Sequence, residues 1–175
     1  VQYASGISIN LKQLSQACQA NHCLLCVDAI QSLGAIPFNQ QDIQADFVVA
    51  DGHKWMMGAE GLALMYVKQS LQDSLKLTQY GWHMVAQRGN YDAQEWTIAK
   101  DATRFECGSP NMLGIHVLNA SIRLLLKVGI EQVHQRIVER IRHIESALKK
   151  HEHIQLLSPE TPDHYSSSRS GIITF

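Results

Sequence analysis

Three short, unbroken apolar runs constrain the fold of this chain most: Cys23-Leu24-Leu25-Cys26-Val27-Asp28, Asp46-Phe47-Val48-Val49-Ala50 and Gly61-Leu62-Ala63-Leu64-Met65-Tyr66-Val67. Each has the length of a strand, and strands without polar alternation predict a sheet covered on both faces. Ahead of the first run, residues 10–21 predict a helix, with Leu11, Leu14 and Cys18 at helical spacing and Asn10 as N-cap. Helix followed by strand predicts α/β organisation. The link between the second and third runs, residues 51–60, is too short for a helical crossover. Those two strands are therefore expected to be antiparallel if they are neighbours. A turn is predicted at Gly34, and Pro37 breaks any helix there.

Residues 68–103 contain Gly81-Trp82 and Gly89-Asn90 but no sustained period, which predicts loops and short helices that contact a ligand or another subunit. Two amphipathic helices follow. Residues 111–127 place Ile115, Leu118, Ile122 and Leu125 on one side; residues 130–151 carry Val133, Ile137, Ile141, Ile144 and Leu148. Ser158, Pro159 and Pro162 mark a loop, Ser166-Ser167-Ser168 continues it, and residues 172–175 predict another strand. No internal repeat is evident. The 45% hydrophobic and 18% charged content of the 175 residues excludes a disordered chain. A net charge of −1 with no polybasic patch gives no strong pull toward nucleic acid or an anionic membrane. No apolar run approaches a membrane span, and no signal-peptide pattern is present. The chain opens at Val1 without Met and closes on Phe175 inside an apolar run, so both ends read as cut.

Cys23 and Cys26 have C-x-x-C spacing, but a zinc reading needs a second ligand pair and a redox reading a reactive helix N-terminus. In an apolar strand they are expected to be buried structural thiols, with no metal site. Free thiols and the absence of a targeting signal predict a cytoplasmic protein.

Three constellations carry chemistry. In Val27-Asp28-Ala29-Ile30-Gln31, the acid closes an apolar strand, at the edge where open α/β sheets bind ligands. Its carboxylate can pair with a cationic ring nitrogen, and Gln31 can hydrogen-bond a nearby oxygen. In Ala50-Asp51-Gly52-His53-Lys54-Trp55, a second strand reaches the same edge, Gly52 lets the backbone turn, and Lys54 is expected in a cleft. Partial desolvation there would favour the neutral amine that attacks an aldehyde, and His53 can contact a phosphate or ring face. In Arg104-Phe105-Glu106-Cys107-Gly108-Ser109-Pro110-Asn111, a glycine–serine turn opens a helix, an arrangement that binds anions. Singly, each has a bland reading: a strand-ending cap, a solvated lysine, a helix cap. Together they supply an acid for a pyridine nitrogen, an amine for an aldehyde and donors for a phosphate, the set that pyridoxal phosphate requires.

The order D-x-x-Q, G-H-K, R-F-E-x-G-[ST]-P-N resembles the class V aminotransferase family of fold-type-I enzymes, which includes cysteine desulfurases, selenocysteine lyases and isopenicillin N epimerase-like proteins. The similarity extends through residues 61–67, Gly81-Trp82 and Arg169-Ser170-Gly171-Ile172. It implies that Asp28 pairs with the pyridine nitrogen, Gln31 with the phenolic oxygen, and that Lys54 forms the Schiff base and shuttles the Cα proton. It places His53 beside the cofactor phosphate, and Ser109 on the phosphate of a neighbouring subunit in a homodimer. Asp51 stands where many relatives have a phosphate-binding Ser or Thr, and Ser109 replaces the commoner Thr. In relatives the glycine–threonine phosphate loop lies before the segment matching Val1. The substrate-carboxylate Arg and the mobile desulfurase Cys lie beyond the one matching Phe175.

The resemblance implies a partial three-layer α/β/α large domain over residues 1–128, a linking helix over 129–150 and the start of a small α+β domain over 151–175. The function it implies is a pyridoxal-phosphate enzyme acting on an amino acid, as transaminase, desulfurase/lyase or epimerase. The alternatives are a non-catalytic remnant or binding fragment, and a plain α/β domain binding another anion at Ser109.

Overall fold

The computed structural model describes residues 1–158 and 169–175. The predicted Pro159, Pro162 and Ser166–Ser168 loop positions lie outside them. Helix α1 (Leu11–Ala20) is capped as expected: the Asn10 side chain accepts the Gln13 N–H at 3.1 Å. This bond satisfies one of the amide donors that a helix start leaves unpaired.

Strands β1 (Cys26–Asp28), β2 (Phe47–Asp51) and β3 (Ala63–Val67) form one sheet in that order. β1 and β2 are parallel, with Asp28 opposite Val49; their connection contains α2 (Gln40–Ile43). β2 and β3 are antiparallel, as the short link requires. β1 is shorter than the predicted 23–28. The Asp46 carboxylate takes the Leu25 N–H at 2.9 Å, while the Leu25 carbonyl accepts from the Asp46 and Phe47 amides. A side chain thus replaces the ladder at that end.

The sheet is covered on one face rather than both within these residues. Val27, Val48 and Ala50 point inward and join Leu25, Ala29, Met56 and Leu118 in the core, with Leu11, Phe38, Ile43 and Ile122 packed around them. The alternate positions Cys26, Val49 and Met65 are exposed. The same alternation corrects the expectation for Cys26, which faces away from the core, and Cys23 lies exposed in the link between α1 and β1.

Residues 68–103 form loops, as predicted, with α3 (Gln69–Gln72) and an isolated bridge between Val85 and Ile98; a 3-10 helix follows at Ala102–Phe105. Helices α4 (Met112–Val128) and α5 (Ile130–Leu148) bend by 80° at Gly129, whose φ of 90° suits a residue without Cβ. No single helix among the described residues is long and apolar enough to cross a membrane. The predicted strand at 172–175 is not formed as a ladder: Thr174 accepts the Leu157 amide, but its own N–H goes to the Ser158 hydroxyl. A side chain ends the pairing after one residue.

Candidate functional site

Parallel pairing puts the C-terminal ends of β1 and β2 at one sheet edge, and antiparallel β3 starts there. Asp28 closes β1 and is exposed, with Oδ1 accepting the Ile30 N–H at 3.0 Å. The carboxylate therefore shapes its own turn while facing solvent. Gln31 follows in that turn, half-buried.

β2 runs into a compact turn at residues 52–58. The Gly52 N–H donates to the Leu62 carbonyl, Gly58 N–H to Gly52 O at 2.8 Å, and Met57 N–H to Lys54 O at 2.9 Å. The left-handed residue of this turn is Met57, with φ 56°, not Gly52. Gly52 is needed for space instead: a Cβ there would meet Leu62 O at 3.2 Å and the Leu118 side chain at 3.3 Å. Leu118 and buried Met56 seat the turn from below. His53 is half-buried, whereas Lys54 is exposed, not in the expected cleft. The core grips only the underside of the turn, so the lysine stem projects from its outer side.

The 104–111 segment reaches the same edge through Asn111, whose Nδ2 donates to Gly61 O at 3.1 Å, just before β3. Asn111 also caps α4, its Oδ1 accepting the Gly114 N–H at 2.9 Å. A Cβ at Gly114 would lie 2.7 Å from Asn111 Nδ2, so Gly114 leaves room for both bonds. The cap is therefore Asn111, and Ser109, two residues earlier, stays exposed. Arg104, within the same motif, pairs with Asp73 and ties the 3-10 helix to the end of α3. Asp51 ends β2, half-buried, on the sheet face shared with Val49 and Asp28.

Sequence reasoning did not single out the Asn111–Gly61 link. An Asn three residues before Gly114 was a legible capping signal. Nor did it find Trp55, whose carbonyl packs under Gly34 and whose ring packs under Gly171; only three-dimensional proximity shows those contacts.

The parallel β1–β2 pair with antiparallel β3 beside it is part of a fold-type-I α/β domain, the fold of the solved structures that this chain resembles. The solved apo cysteine desulfurase of Thermococcus onnurineus NA1 superposes on 99% of this chain and 41% of its own, with a TM-score of 0.86 at 23% identity. The chain belongs to the aminotransferase class-V family, whose profile matches residues 1–175. It is 29% identical over 137 residues to the uncharacterized aminotransferase YcbU of Bacillus subtilis (strain 168), covering 78% of this chain and 36% of that protein. It is 30% identical over 157 residues to a probable cysteine desulfurase of Pasteurella multocida (strain Pm70), covering 89% and 36%. The chain thus spans 36% to 41% of the length of these relatives.

Proposed function

We propose that this chain carries the Schiff-base lysine of a pyridoxal-phosphate enzyme acting on an α-amino acid, and that the lysine is Lys54. What supports this is that Asp28 and the Lys54 turn end adjacent parallel strands at one sheet edge, which the segment after Ser109 reaches through the Asn111–Gly61 bond. The donor set fits the group: an exposed carboxylate for a cationic ring nitrogen, an exposed amine for an aldehyde, and a hydroxyl beside a 17-residue helix start for a phosphate.

Pyridoxal phosphate, when bound, supplies the aldehyde and a ring that withdraws electrons from the substrate Cα. Asp28 would keep the ring nitrogen protonated by pairing with it. Gln31 would donate a hydrogen bond to the ring oxygen. His53 would lie beside the phosphate, and Ser109 would donate its hydroxyl to a phosphate, that of a partner subunit in the homodimer we infer. Lys54 would hold the aldehyde carbon and then move the proton at Cα. Asp51 opposes a phosphate on its own side of the sheet by charge.

The name of the Pasteurella relative supports carbon–sulfur cleavage of a sulfur amino acid, and that of the Bacillus relative supports transamination. The exposure of Lys54 favours a second reading, a scaffold without turnover. The visible spectrum of the intact natural protein with pyridoxal phosphate, before and after borohydride, separates the two. An absorption band reduced by borohydride and lost in Lys54→Ala is expected. A wild-type protein that stays colourless would overturn the enzyme reading.

A further inference from the structure

The residue after Lys54 is held at both ends by glycines from distant parts of the chain. Gly34, with φ 95°, passes so close to Trp55 that a Cβ there would overlap the Trp55 carbonyl and approach Met56 N at 2.8 Å. At the other end, a Cβ on Gly171 would stand 2.5 Å from Trp55 Cη2, 3.0 Å from Cζ2 and 3.1 Å from Ile137 Cγ2 of α5. The indole therefore fills the space over Gly171 beside α5.

The segment around Gly171 is itself anchored. Arg169 pairs with Glu145, and its carbonyl contacts His134 Nε2 at 2.9 Å; both partners lie on α5. Ser170 is 3% exposed and donates its hydroxyl to Gly6 O at 2.7 Å. Between this anchor and the lysine lies a single residue with no slack at either end. Protein interiors transmit such contacts because close-packed atoms do not compress.

We propose that Trp55 is a positioning residue: it couples residues 169–171 to the Lys54 turn, so that the seat of that segment sets where the Lys54 amine points. The inference rests on the reading of Lys54 given above. If Trp55 were only core filling, shortening it would lower stability and leave Lys54 reactivity alone.

The test uses the intact natural protein and pyridoxal phosphate as the probe. The Lys54 amine condenses with the aldehyde and releases water; borohydride then delivers hydride to the carbon of the carbon–nitrogen double bond and water a proton to its nitrogen, leaving a stable secondary amine that peptide mass mapping locates. Labelling rate against pH is read at Lys54, with exposed Lys12 as internal reference. Gly171→Val is expected to slow labelling of Lys54 by roughly tenfold to a hundredfold, the scale of an ångström misplacement, and to move its pH profile. Gly171→Ala and Trp55→Phe are expected to act in the same direction more weakly. Their combination should recover to within about threefold of wild type, because the smaller ring frees the space that the added methyl takes. If Gly171→Val does not fold, that pair and its combination decide. Unchanged rates and pH profiles in the folded variants, or a double variant no better than the singles, would overturn the coupling alone. A wild-type protein unlabelled at Lys54 would overturn the functional reading and the coupling with it.

Discussion

Asp28 does two things at once, and substitutions can separate them. Its Oδ1 holds the Ile30 amide, while the charge faces the sheet edge. Asp28→Asn keeps an acceptor oxygen and removes the charge. It is expected to melt close to wild type yet bind pyridoxal phosphate about tenfold to a hundredfold more weakly, the worth of a hydrogen bond to a charged group. A cofactor titration beside a thermal melt checks this, and unchanged affinity would remove Asp28 from the site. Gly34 makes a different case. Any side chain there meets both a φ of 95° and the Trp55 carbonyl, so Gly34→Ala should cost about 1–3 kcal/mol in urea unfolding. The places of Asp28 and Lys54 at the sheet edge were legible because one ends and the other follows an apolar strand, and a strand's end is a place on a sheet. The setting of Lys54 was not legible. Exposure depends on what packs over a turn, and the core seats this one only from below through Met56 and Leu118.

Among the elements, α4 depends on one side chain for both its start and its placement. Asn111→Ala loses the Gly114 cap and the bond to Gly61, and should destabilise by about 1–2 kcal/mol. Asn111→Ser keeps a capping oxygen and should recover part of that, leaving the loss of the Gly61 link as the remainder. The 3-10 helix at Ala102–Phe105 gives a pH-dependent counterpart. Hydrogen bonds from Thr103, side chain first and backbone second, hold the Asp101 carboxyl below the ordinary carboxylate range. A carboxyl lowered in the folded state adds stability that is present above its ordinary value and lost as the pH falls through the folded one. Asp101→Asn should therefore flatten the acid limb of the unfolding curve below about pH 5; an unaltered limb would show that the cap contributes nothing. Helices α1, α4 and α5 and the antiparallel β2–β3 pair were readable from period and link length, whereas the single-turn α2 was not. The short β1 and the missing C-terminal ladder were not, because in both a polar side chain takes the place of a backbone partner: the Asp46 carboxylate at Leu25 and the Ser158 hydroxyl at Thr174.

On the scale of the molecule, two of the apolar surfaces that the described residues leave uncovered lie on regular elements. One is the sheet face carrying Val49 and Met65, 36% and 50% exposed, between outer edges of β1 and β3 that no strand pairs among those residues. The other is the outer side of α4, where Leu113 is 76% and Leu124 54% exposed on the same helix face. Apolar patches and unpaired strand edges of this kind associate in water. The 175-residue polypeptide on its own is therefore expected to sediment as dimers or larger species at about 10 µM, and a monodisperse monomer would contradict that. The two surfaces can be told apart. Leu113→Glu with Leu124→Glu places two charges on α4 and leaves the sheet untouched. If the double variant becomes monomeric, α4 is the contact. If association persists unchanged, α4 is not the contact, and the open sheet face stays available, since its strand edges offer hydrogen bonds that charges on α4 cannot remove.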